Sequence, residues 1–138
     1  MSTSATTRKL SSLQRLILID LGAAVLCALF GAVYEQFGHG VYSYRMIYAF
    51  LFPLLLGVVP LYLLSALGWR IPGGVSWGLY HAGIAALTVG SLVSGALEIY
   101  GTSNPLTVVY WIAGEALALL GGLLFVSRLI RANRRRED

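Results

Sequence analysis

The chain has 138 residues, a net charge of +4 and a mean hydropathy of +0.75; 57% of it is apolar and only 12% charged. Soluble globular domains carry about 25% charged residues. This composition excludes one and predicts an all-α integral membrane protein, folded as a single membrane domain over 1–138. The Lys and Arg residues cluster near the two chain ends instead of covering one face, so no nucleic-acid partner is expected. Cys27 stands alone in an apolar run, which leaves no pair for a disulfide, a redox CxxC or a thiolate metal cage.

Residues 1–15 form a basic leader to the first apolar segment, about 16–34. That segment contains Asp20 and no A-x-A site, and it is long for a signal h-region, so it is expected to remain as a span. Further segments of spanning length cover about 46–67, 79–99 and 105–130, each near the roughly 20 residues that a 30 Å apolar layer requires. The short, turn-rich connections between them predict antiparallel neighbours and hence a four-transmembrane-helix antiparallel bundle. In the second span Pro53 and Pro60 flank Gly57, which predicts a kink. Asn104-Pro105 reads as N-cap and first-turn proline of the fourth.

Four spans place both termini on one side. Arg8, Lys9, Arg15, Arg70, Arg128, Arg131, Arg134, Arg135 and Arg136 then lie together, with Arg45 opposite. The positive-inside rule predicts cytoplasmic N and C termini, a basic tail over 131–138, and an inner or plasma membrane location with lipid as solvent and partner. Small residues at four-residue intervals (Ala82, Ala86, Gly90, Ser94, then Gly114, Ala118, Gly122) predict that the third and fourth helices pack most closely, or that the ladder serves a homo-oligomer or another membrane protein. Gly31–Gly38 (GAVYEQFG) resembles Gly95–Gly101 (GALEIYG), so the chain could comprise two hairpins related as a pseudo-repeat.

Ionisable groups inside a bilayer are costly and need a partner or a use. Glu115 is the deepest, about 15 Å past Pro105 at 1.5 Å per residue. It is expected to face Ser91 and Ser94, with Trp111 and Tyr110 a turn above. Glu35, Glu98, Arg45 and Tyr48 gather toward the outer surface, where Tyr34, Tyr42, Tyr44 and Tyr100 also form an interfacial belt. Asp20, Arg70 and His81 form an inner polar cluster. Carboxylates beside aromatic faces suit an organic cation. The set therefore points to a small cationic species bound or transported through an acidic, aromatic, outward-facing cavity centred on Glu115. A scaffold or accessory subunit that docks through its small-residue faces needs none of this chemistry. A membrane enzyme acting on a lipid-linked substrate is the least supported class: no HExxH, G-x-S-x-G or His-rich box is present. No metal or other cofactor is expected.

Overall fold

The computed structural model describes residues 11–69 and 71–136 and contains helices and no strand among them. Four helical segments are long and apolar enough to cross a membrane: Ser12–Gln36, Tyr44–Ala66, Val75–Ile99 and Pro105–Arg134. They run a few residues beyond most of the apolar cores read from the sequence. Helix α1 (Ser12–Gln36) starts in a capping box: Ser11 accepts from the Gln14 amide while the Gln14 side chain accepts from the Ser11 amide. Asn104 caps the last span through its side-chain oxygen, which accepts from the Leu106 amide, and Pro105 opens a 3-10 turn ahead of α5 (Val108–Arg134).

The second span is broken up. A short α2 (Tyr44–Ile47) leads through turns into a π-helical stretch, Phe52–Val58, and then α3 (Val59–Ala66). The prolines thus produce a rewound segment. Pro60 has no N–H, which removes the α-helical donor to the Leu56 carbonyl. The Tyr80 hydroxyl takes that place, donating to the Leu56 oxygen at 2.7 Å. Proline-freed carbonyls inside a membrane have to be met by such a neighbour.

The third and fourth spans, α4 (Val75–Ile99) and α5, form the most extensive pair. Their contact runs along Gly83, Leu87 and Gly90 on one side and Gly114, Ala118 and Gly121 on the other. A Cβ at Gly83 would collide with the Ala118 backbone, one at Gly121 with the Tyr80 backbone, and one at Gly114 would lie 2.7 Å from Leu87 Cγ. The residues that meet differ from the sequence-derived ladder. Ala82 is exposed, and Gly121 takes the place given to Gly122. Gly95 and Gly31, the first residues of the two similar segments, both abut Met46, which is completely buried between them. The start of the second span is thereby wedged between α1 and α4. At the other end Arg136 donates to the Gly68 carbonyl at 3.5 Å, which keeps the C-terminal turn beside the connection between the second and third spans.

Because the Gly83 contact is backbone to backbone, Gly83→Leu is expected to cost about 1–3 kcal/mol or to separate the pair. Gly78→Leu, at a position with open space within 4 Å, is expected to leave thermal unfolding in detergent unchanged within about 0.5 kcal/mol.

Candidate functional site

Two polar centres are built into the bundle, one toward each end. At the end away from the termini, the Gly38–Gly40 turn and α2 bring α1 and α4 together. Ser43 donates to Glu98 Oε2 at 2.5 Å, and Arg45 Nη1 lies 3.3 Å from Glu98 Oε1. Ser91 donates to the Arg45 carbonyl at 2.6 Å, tying α4 to α2. Glu98 therefore has both a cation and a hydroxyl. Glu35, one helix over, has neither among the described residues: its Oε1 is buried with no hydrogen-bond partner, and so is the Ser94 hydroxyl. Toward this end of the bundle the two carboxylates Glu35 and Glu98 outnumber the one described arginine, Arg45. Beside it a groove of about 480 Å³ is lined by Tyr34, Phe37, Gly38, His39, Ile99 and Tyr100. Tyr34 and Tyr100 meet edge to face there, with ring centroids 6.3 Å apart. His39 holds a left-handed backbone at φ 50°, a conformation that non-glycine residues adopt sparingly and that functional loops tend to retain. Tyr48, also expected here, is exposed and stacks on Tyr44; with Arg45 and Ser91 these tyrosines line a second, apolar groove.

Glu115 does not join this site. The contacts Gly83–Ala118, Leu87–Gly114 and Gly90–Tyr110 set an antiparallel register in which Glu115 is level with Ala86. That is some five residues, roughly 7.5 Å, from Ser91. Its rotation is wrong as well. At about 100° per residue Glu115 lies roughly 90° around α5 from the glycine stripe, and it is exposed on a face with Ile112, Leu119, Leu123 and Val126. Trp111 turns to the second span and packs edge-on against Phe52 at 6.0 Å, so it cannot cover the carboxyl. Tyr110 packs its Cβ against Gly90.

The second centre lies toward the terminal end. Asp20 of α1 is 6% exposed and points into the bundle, with Oδ2 3.0 Å from His81 Nε2 on α4. Gly57 leaves room for it: a Cβ at that glycine would sit 2.7 Å from Asp20 Oδ2. His81 is framed by Trp77, at 4.1 Å between centroids, and Tyr80, at 5.8 Å, and its Nδ1 is buried without a partner. Arg70, the third member expected there, falls outside the described residues. The role of Gly57 and of Tyr80 was not read from the sequence, although the Pro53/Gly57/Pro60 spacing signalled a freed carbonyl that some donor had to meet.

Among the described residues no three His, Cys, Asp or Glu side chains converge as a metal site would need. Comparison of the chain with models of known protein families, with curated proteins and with solved structures found no match.

Tyr80→Phe deletes the hydroxyl that donates to the Leu56 oxygen. Interhelical hydrogen bonds in membrane bundles average about 0.6 kcal/mol and reach about 1.7. The loss is expected toward the upper value, read as a lower midpoint in denaturant, whereas Tyr62→Phe, at an exposed position, is expected to be neutral.

Proposed function

We propose that the chain is a small polytopic membrane protein that binds a small organic cation at the cluster formed by Glu35, Glu98 and Arg45. The observation that carries this reading is the Glu35 carboxyl, whose Oε1 is buried with no donor while the neighbouring Glu98 is already paired. A buried acceptor of this kind is costly unless something supplies a hydrogen or a positive charge. An ammonium or guanidinium group does both, and the Tyr34 and Tyr100 rings offer faces on which its apolar parts can rest. The centre of the site is thus moved from Glu115 to Glu35.

Binding is favoured over open conduction. From Glu98 the buried hydroxyls Ser94, Ser91 and Thr88 follow one side of α4, and the series then stops at Leu87 and Ile84, both buried apolar residues, with Ala24 buried on α1. The basic residues near both chain ends support cytoplasmic termini, so the Glu35 cluster would face outward.

A second reading, docking to another membrane protein or to a further copy of the chain, is supported by Glu115 itself. An exposed carboxyl roughly 15 Å along the last span, on an apolar face, would otherwise meet lipid.

The two are separated by one pair of variants. Glu35→Gln is expected to weaken binding of tetramethylammonium or guanidinium to the purified protein at least tenfold by calorimetry, about 1.4 kcal/mol, while Glu115→Gln binds as the parent does. Undiminished binding in Glu35→Gln would remove the cation site. Loss of a co-purifying partner, or of self-association, in Glu115→Gln alone would favour docking.

A further inference from the structure

The second and fourth spans leave a groove between them at the end that carries the termini. Helices α3 and α5 make no close backbone approach to each other among the described residues: α5 packs on α4, while the π-helical stretch ahead of α3 packs on α1. The space between is a groove of about 390 Å³ with Leu64 and Leu67 on one wall, Gly122, Val126 and Leu129 on the other, and Tyr80 contributed by α4. The Tyr80 hydroxyl is committed to the Leu56 carbonyl, so what the groove receives from it is ring carbon. Gly122, left out of the α4–α5 contact that Gly121 makes, keeps this space open. A Cβ there would lie 3.6 Å from the Tyr80 ring, an ordinary contact.

From Gly122 to Leu129 is about 10 Å of helix, within the roughly 15 Å that one leaflet contributes to the apolar layer. In lipid an apolar lining confers no preference by itself, so selectivity depends on shape and on what stands at the mouth. Past Leu129 the lining turns polar. Trp69, Ile130, Asn133 and Arg134 frame a smaller hollow of about 210 Å³, and Arg136 reaches across to the Gly68 carbonyl at 3.5 Å. Arg134 and Arg136 are both exposed. Arg134 is about 8 Å beyond Leu129 by helix rise, a step comparable with the polar headgroup region, about 5–7 Å deep on each side of the hydrocarbon. Trp69, 41% exposed, suits the same boundary. From Arg128 onward the sequence holds five arginines and two carboxylates, so this segment carries a positive surplus.

We infer that the groove is a binding site for one anionic phospholipid of the adjoining leaflet, with an acyl chain lying between α3 and α5 and the phosphate beside Arg134 and Arg136. Hydrocarbon along the walls and cations at the mouth follow the order in which such a lipid presents its own parts. A guanidinium offers a planar fork of donors that matches phosphate oxygens. A zwitterionic lipid brings the same chain and phosphate together with a cation of its own, and is expected to be held less well beside these arginines. The inference rests on the reading of the chain as a membrane protein and on none of the residues of the cation site.

Native mass spectrometry of the full chain, extracted from vesicles of phosphatidylglycerol and phosphatidylcholine in equal amounts, tests it. One phosphatidylglycerol per chain is expected to be retained in preference to phosphatidylcholine. Gly122→Leu fills the groove without altering a charge, and Val126→Trp, at an exposed lining position, does the same should the first fail to fold; either is expected to lower retention at least tenfold. Arg134→Gln combined with Arg136→Gln is expected to lower it about 25-fold, at about fivefold per arginine. Equal retention of the two lipids overturns the inference. So does retention that neither groove variant changes, which is the result for a basic tail attracting headgroups with no seat for the chain. A dimer that Gly122→Leu dissociates, with no lipid held by the parent, overturns it in favour of a second copy of the chain. Resistance of the parent to alkaline extraction from phosphatidylcholine vesicles tests the membrane reading alone: loss of that resistance overturns both, whereas its retention beside an equal hold on the two lipids overturns only the lipid site.

Discussion

Close backbone approach between α4 and α5 is the constraint on which the rest of the bundle depends. In lipid there is no hydrophobic reward for placing one leucine face against another, so helices associate where glycine lets their backbones touch. Gly83 against Ala118 and Gly121 against Tyr80 do this. These contacts set the rotation of α5 about its axis and its level against α4. Everything that α5 carries is thereby assigned a direction: the glycines inward, Trp111 toward Phe52, and Glu115 out of the bundle.

The second span behaves differently because two prolines and a glycine interrupt it. Its π-helical stretch provides two things that a regular helix would not. One is a carbonyl, at Leu56, that needs an outside donor and receives Tyr80; the other is a bare backbone at Gly57 against which Asp20 can lie. Departures from α-helical winding are frequent at functional positions. Here the departure is what creates room for a carboxyl inside the bundle. At the opposite end Met46 is held between Gly31 and Gly95, and the same wedge brings Ser43 and Arg45 to Glu98. Glycine thus shapes both polar centres by admitting a neighbour that any side chain would exclude.

The polar residues expected to matter divide accordingly. Glu98 and Arg45 pair at the end away from the termini, and Ser91, expected opposite Glu115, instead donates to the Arg45 carbonyl. Asp20 and His81 meet as hydrogen-bonded partners. Glu115 was expected level with Ser91 and Ser94 and beneath Trp111, whereas the register sets it level with Ala86 and its rotation carries it out of the bundle. A helix position can be read for depth by counting residues, but its azimuth is set by the partner helix, and the connection 100–104 plus one 3-10 turn shifted the register by several residues.

Composition and spacing alone determined the class of the molecule, its four apolar helices, their caps, the interruption at Pro53 and Pro60, and the pairing of the last two spans. All of these follow from chain-local quantities: apolar length against layer thickness, absent amide hydrogens, and small residues in helical steps. Which glycine touches which backbone, which carboxyl is buried and which faces outward, and which carbonyl Tyr80 satisfies were decided only when the helices packed. Rotations of a few tens of degrees separate a buried acid from an exposed one, and no single span contains the information that selects among them.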